Sequence, residues 1–546
     1  DDSDIILKGT DGGADTTFLT IDGSAAGEAT FNAGVIGTSF NGIPLFAADN
    51  SIYTHDVSGT DDTASKNAGY GITALDAVTT GDNNVAVGYA ALTALTTGTE
   101  NVAIGHEALR LVTTASSNVA IGNEAMENNV AANNVAVGTK SMRANTTGTR
   151  NIAIGTNAYD ASDTENDNLA IGFDAMTTNT AGGTKNVAIG NYALDAHTSG
   201  DDNTAVGYIS LSANTTGSNN TAVGSWSLTA NTTGVSNIAV GTDSMDSNTD
   251  GSYNTAVGHD ALQANTSSNR NIAVGHTALY SNTAADNIGI GQQAGYSNTT
   301  GTRIIAIGTN AYDDSDTEND NIAIGYNALT TNTAGGESNI AIGNYAGDAI
   351  TSGDGNCALG HTALGKVTTV NANTGIGNNA LNNLVNGQNN TGLGYQTGNA
   401  LTGGDNNTCI GFDADVSSGS VSNQFKLGNG SINDLRCADT SISSSSDERD
   451  KSNIVDIPLG VDFLKTVRPV SFDWTRRDGH KAGVKDFGFV AQELKIAADA
   501  TDYADHMRLV HDDNPDNLEA DPMKMFPILV KAVQELSAKN DSLETA

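Results

Sequence analysis

Asn83-Asn84-Val85-Ala86-Val87-Gly88-Tyr89-Ala90-Ala91-Leu92, NNVAVGYAAL, is one phrase of a long refrain. With Gly88 as the reference, related phrases return every 16 to 18 residues from Gly71 to Gly428, a span of 357 residues or 21 intervals averaging 17. Four residues before the reference glycine stands Asn in 20 of 22 copies, the exceptions being Ile304 and Gln424. A period this regular governs the fold before any local propensity does.

Each position carries a physical instruction. VAVG or IAIG places β-branched residues one and three before the glycine with Ala between, the period-two signature of a strand. Four residues are too few for a free strand, so copies must pair with one another. Glycine supplies positive φ or close backbone approach at a corner. A second short element, xxAL or xxAM, follows, and turn formers such as NTTGTRN close the coil. These features predict a parallel β-solenoid in which the asparagines stack as a hydrogen-bonded ladder. At ~4.8 Å per stacked strand the rod runs on the order of 100 Å. A coil so small encloses one Val or Ile, one Ala and one Leu or Met, too little for a lone roll, which points to several chains sharing a core. RNIAIGTNAYDASDTENDNLAIG from Arg150 returns from Arg303 with few changes, a shift of 153 residues or nine coils. Segmental duplication lengthens such a rod readily, because each coil contacts only its neighbours.

Composition narrows the function classes. With 25 basic and 63 acidic residues the net charge is −38, which argues against a nucleic-acid binder. Cys357, Cys409 and Cys437 lack metal-ligand spacing and read as isolated small thiols. No metal site and no cofactor is expected. No apolar run approaches the ~18 residues that span a membrane. Without an initiator Met or a signal-peptide pattern, the chain reads as a fragment or processed product beginning at Asp1. Two duplicated acidic loops, Asp160/Asp163/Glu165/Asp167 and Asp313/Asp316/Glu318/Asp320, read as solvated turns, with calcium ligation as the alternative. Aromatic or His residues directly after the anchor glycine (Tyr89, His106, Phe173, Tyr208, His259, His276, Tyr326, Phe412) are either exposed corners or a receptor-facing stripe.

The repeat is similar to coils in the heads of trimeric autotransporter adhesins and in many phage tail fibres, a resemblance that implies a homotrimer. The expected fold is mainly β. It comprises an N-terminal fibrous β segment (1–66), a solenoid rod (67–430), a connector (431–446), and a small α+β domain (447–546) ending in a coiled-coil helix.

That last region differs in composition. VSFDW and DFGFV read as strands, with a helix through AQELKIAADA. In the final segment Phe526, Val533 and Asn540 fall at one seven-residue spacing, and Leu529, Leu536 and Leu543 at another. These are a and d positions of a trimer seam about three heptads long; the alternative is an amphipathic helix packed on its own domain. SSSSDERDK, Ser443 to Lys451, reads from residue types alone as a linker.

SDERDKSNI, LKTVRPVSFDW, DFGFVAQEL and FPILVKAVQEL resemble, in order and spacing, the C-terminal intramolecular chaperone of endosialidase-type phage tailspikes and tail fibres. The resemblance implies a domain that helps three chains assemble and then cuts itself off. It further implies Ser446 and Lys451 as the cleaving dyad and Ser446–Asp447 as the scissile bond. A lysine can take a serine proton when burial or neighbouring charge lowers its pKa. Arg449 is read as solvated, Asp447 and Glu448 as helix caps or ion-pair partners, and His480, His506 and His511 as ordinary domain residues. The expected protein is a virion tail fibre or tailspike. Its partners would be a bacterial surface glycan or protein receptor and, through its N-terminal side, other tail proteins, with no nucleic acid and no membrane insertion. A bacterial surface adhesin and a polysaccharide-degrading spike are the alternatives.

Overall fold

The computed structural model describes residues 63–432, 446–475, 483–512 and 518–545, together with backbone strands within 5–53. Cys437, His480 and most of the 431–446 connector lie outside the described residues. The chain divides into two compact units, Asp1–Asn319 and Asp320–Ala546.

In the first unit Ile5–Asp11 and Ala14–Ile21 form an antiparallel hairpin that Ala29–Thr30 extends. A second hairpin, Phe46–Ala48 with Ser51–Tyr53, then starts a parallel ladder through Ile52 opposite Ala68. From Ala68–Tyr70 onward each coil contributes one three-residue strand, paired in parallel with the next, as in Ala205 opposite Ala222 and Ala222 opposite Ala239. The second unit continues this pattern from Ile322–Ile324 to Phe425–Leu427. The fold is mainly β, a parallel solenoid of 17-residue coils.

The interior differs from the expected one. Strand alternation gives a three-residue strand one inward position, and alanine holds it: Ala86, Ala103 and Ala120 are fully buried. The β-branched residues on either side face outward, as at Val87, Ile104 and Ile154, each close to 40% exposed. The coil therefore encloses two alanines and a Leu or Met (Ala86, Ala91 and Leu92 in one coil), and no Val or Ile from the strand. Leu92 adopts φ 50°, a left-handed conformation repeated by its equivalents in most coils. Its N–H donates to Ala108 O of the next coil at 3.1 Å, so this turn also pairs from coil to coil.

The asparagine ladder is present and buried. The N–H of Asn237 donates to Asn220 Oδ1 (3.0 Å), its Nδ2 donates to Gly251 O (2.8 Å), and its Oδ1 accepts the N–H of Asn254 (3.0 Å). One side chain thus satisfies backbone groups in two coils. Gln424 ends the column by turning its amide onto Ser417. At the reference glycine two constraints coincide. Gly207 has φ +144°, and a Cβ there would stand 2.2 Å from Gly224 O.

A second buried column, seven residues after the glycine, escaped the sequence reading. Asn214, Asn231, Asn248 and Asn265 pass amide hydrogen bonds along it at 2.8–2.9 Å. Toward its start it is apolar, with Val78, Leu95 and Val112. At Ser162 the column is interrupted, leaving Asn145 Oδ1 and Ser162 Oγ unpaired. The neighbouring Tyr159, in place of the usual Leu or Met, accepts on its hydroxyl the Nδ2–H groups of Asn168 (2.7 Å) and Asn179 (3.3 Å). His197 occupies the same column, fully buried between Asn186 and Asn214. Burial pulls its pKa from the usual 6.5 to about 4.

In the second unit the closing region pairs Val470–Asp473 antiparallel with Lys485–Gly488 and follows them with the helix Ala491–Asp499, as read from sequence. Its core gathers Phe463, Leu494, Met507, Leu509, Met525 and Ile528.

Two predictions follow from the columns. Asn237→Ala strands the Asn254 N–H, while the Gly251 carbonyl keeps its bond from Asn248 Nδ2 (3.0 Å), and should cost about 1–3 kcal/mol for the group left unpaired. Thr232→Ala, at a half-buried position whose hydroxyl donates to a Thr249 carbonyl that the Thr232 N–H already serves, should cost less, and thermal melting of the two variants checks the contrast. His197 binds its proton more readily unfolded than folded, so its contribution is complete above pH 6.5 and drains as pH falls toward 4. The loss approaches about 3 kcal/mol. A pH series of denaturant melts on wild type and His197→Asn should show a steeper loss of stability between pH 6.5 and 4 in the wild type.

Candidate functional site

The described chain resumes at Ser446, and the five-residue interval to Lys451 is closed by a single 3₁₀ turn, Glu448–Asp450. Asp447 caps that turn, its Oδ1 accepting the Arg449 N–H at 2.9 Å. The turn carries Lys451 back onto Ser446. Lys451 Nζ lies 2.5 Å from Ser446 Oγ and 3.1 Å from Ser446 O. A hydroxyl, an amine and the carbonyl of the Ser446–Asp447 bond thus stand together. An amine placed so can exchange a proton with the hydroxyl and donate to the carbonyl oxygen.

Both side chains are exposed in the single chain, so the burial expected around Lys451 is not provided by its own domain. Arg449 pairs with Asp447, its Nη2 at 2.6 Å from Asp447 Oδ2. That pairing holds the Asp447 carboxyl below its usual range, so Asp447 serves both as cap and as ion-pair partner. Beyond Lys451 a cavity of about 520 Å³ opens, lined by Ile454, Ile457, Tyr503, His506, Met523 and Ile528 among others. His506 packs edge-on against Tyr503, and His511 lies in a two-residue strand.

The closing helix, Phe526–Glu544, has two apolar faces. Ile528 and Ala532 are buried in the domain core, and Glu535 accepts the N–H of Val461 at 2.9 Å, capping the short helix Val461–Leu464. Phe526, Leu529, Val533, Leu536 and Leu543, from 49% to 68% exposed, occupy the other face with Asn540. The helix therefore does pack on its own domain, but not through its a and d positions. Phe526 and Leu529 also line an apolar cavity of about 320 Å³ with Leu464, Val467 and Phe489.

Elsewhere the acidic loops are engaged by protein donors. Glu165 is buried and accepts the N–H groups of Asp163, Thr164 and Gly182 at 3.0–3.2 Å. Asp167 pairs with Arg150 of the preceding coil at 2.5 and 2.8 Å. Among the described residues Asp243, His259 and Asp260 bring three potential metal-ligand atoms within 4.8 Å of one another, a grouping the sequence reading did not single out. His259 Nδ1 there already meets Asp260 Oδ2 at 2.9 Å. Cys357 and Cys409 are free, and burial pushes the Cys409 thiol up to about 11. No helix among the described residues is long and apolar enough to cross a membrane.

Residues 446–503 match the family model Peptidase_S74, chaperone of endosialidase. The match begins at Ser446 and contains Lys451. No curated protein and no solved structure matches the chain. What the fold and this match give together is a parallel β-solenoid followed by a region that matches the chaperone-of-endosialidase model.

Proposed function

We propose that the chain is a phage tail fibre or tailspike. In this reading it is a homotrimer, its solenoids meet the bacterial surface, and its C-terminal region chaperones assembly before separating at Ser446–Asp447. The observation that carries this is the coincidence at Ser446. The family match starts there, and Lys451 Nζ reaches both the hydroxyl and the carbonyl oxygen of that residue. Two exposed apolar surfaces support assembly. One is the outward pair of residues, β-branched in most coils, that flanks the buried alanine, and the other is the a and d face of the closing helix. Other tail proteins would join on the N-terminal side.

Chemistry constrains how the bond is cut. Attack of Ser446 Oγ on its own carbonyl would close a four-membered ring. The attacking hydroxyl is therefore assigned to Ser446 of an adjacent chain. Its proton passes to Lys451, the Ser446–Asp447 C–N bond breaks, Asp447 leaves as an amine, and water releases the acyl group from the serine. Assembly precedes cutting on this account, because the adjacent chain supplies the nucleophile and covers Lys451.

Ser446→Ala and Lys451→Ala should each leave the full-length chain by denaturing electrophoresis, while Ser444→Ala is still cut. Native mass should give three chains for the uncut Ser446→Ala protein, since chaperoning does not need the cut. Leu536→Asp should lower both trimer yield and cutting. Tagged Ser446→Ala chains mixed with wild type during folding should be cut in part. A monodisperse monomer, or loss of the last hundred residues from Ser446→Ala alone at the wild-type rate, would overturn the proposal.

A further inference from the structure

The corner just after the reference glycine carries more than isolated aromatic residues. Phe173, Tyr192, Tyr208 and Trp226 come from four successive coils and touch in sequence, with ring centroids 5.5, 6.2 and 5.7 Å apart. They alternate between the first and second positions after the glycine, which is why a search of one position finds only Phe173 and Tyr208. Successive planes turn by 74–82°, so faces and edges alternate along the row. Phe173, Tyr208 and Trp226 remain 40–46% exposed.

The nine-coil duplication repeats this device. A shift of 153 residues carries Phe173, Tyr192 and Tyr208 onto Tyr326, Tyr345 and His361, which form their own row at 5.4 and 6.0 Å. The anchoring bond is repeated too. Asn191 Oδ1 accepts the Phe173 N–H at 2.9 Å, and Asn344 Oδ1 accepts the Tyr326 N–H at 3.0 Å. A row of rings rebuilt with the same fastening is a constructed feature of the coil corner.

We propose that the Phe173–Tyr192–Tyr208–Trp226 row binds an uncharged polysaccharide chain, with Tyr326–Tyr345–His361 as a second, weaker row of the same kind. This assignment rests on the surface-binding reading above and names the ligand class. Three observations select that class. Successive rings stand 5.5–6.2 Å apart, about the scale of one sugar ring, and the same ring setting returns every second coil, so a repeating polymer can meet recurring contacts along the row. Exposed aromatic faces suit the C–H faces of pyranoses, while the polar tips of Tyr and Trp and the flanking Asp174, Asn191 and Ser225 suit hydroxyls. The corner positions of these four coils hold no Lys or Arg, and the chain carries a net charge of −38, so an acidic glycan is repelled. Each ring contributes little; a chain lying over several gains by multivalency.

Trp226 makes the row observable, because the only other tryptophan is Trp474. In the assembled Trp474→Phe protein, Trp226 emission is titrated with dextran, laminarin and galactomannan, and with polygalacturonate as the acidic control. At least one neutral polymer should give a saturable spectral shift with protection from acrylamide, and polygalacturonate should give none at matched sugar concentration. Tyr208→Ala should weaken apparent affinity at least fivefold with an unchanged melting curve, and Tyr208→Phe should restore most of it. Silence toward every neutral polymer overturns the proposal, as does an equal response to polygalacturonate. So does a Trp226 already shielded from acrylamide without ligand, which would place the row against another copy of the chain. Adsorption to a panel of bacteria is scored separately. Equal adsorption by wild type and Tyr208→Ala sinks the aromatic row and leaves the surface-binding reading standing; no adsorption by wild type counts against that reading itself.

Discussion

Everything in the solenoid depends on how a seventeen-residue coil satisfies backbone groups that point into an interior too small for water. The buried asparagine is the solution. Its carbonyl takes the N–H of the asparagine one coil on, and its amide donates to a carbonyl across the same turn, as Asn237 does with Asn254 and Gly251. An unpaired group in that position would cancel a large share of what the small apolar content of a coil contributes. Coil length, the glycine corner and the inward alanine all follow, because each keeps successive amides within hydrogen-bonding distance.

The same constraint pushes apolar bulk outward. With alanine and a Leu or Met filling the inside, the β-branched residues of each strand lie on the outer face. A surface of this kind invites lateral partners, yet it repeats so faithfully that a slip by one coil changes almost nothing. In the proposed trimer, register must therefore be set by something that does not repeat. The closing helix is suited to it, since its exposed face is short, singular and punctuated by Asn540.

The solenoid was legible in sequence because the chain states its period more than twenty times. The side of the strand that faces inward was not, since VAV alternates equally well either way; only the space inside a closed coil selects alanine. The second amide column was hidden because its positions change from Val and Leu to Asn, with Ser162 and His197 as further substitutes. The aromatic row was half visible, broken by its alternation between Phe173 and Tyr192. By residue type alone Ser446 and Lys451 show only a spacing of five in a serine-rich joint, and it is the resemblance of SDERDKSNI to the endosialidase-type chaperone that singles them out. Their proximity is legible only once the capped turn between them is known.

The ladder also bears on chemical ageing. An asparagine deamidates when the backbone nitrogen of the following residue attacks its side-chain carbonyl, a reaction that needs a mobile backbone and water. In these coils that nitrogen is engaged: Ile238 N–H, next to Asn237, donates to Asn254 O at 2.9 Å, and Val85 N–H, next to Asn84, donates to Asn101 O at 2.9 Å. Buried, extended and hydrogen-bonded, the ladder asparagines are held away from the one geometry that would turn them into aspartates. A fold built on its most perishable side chain thereby protects that side chain for as long as the coils stay closed.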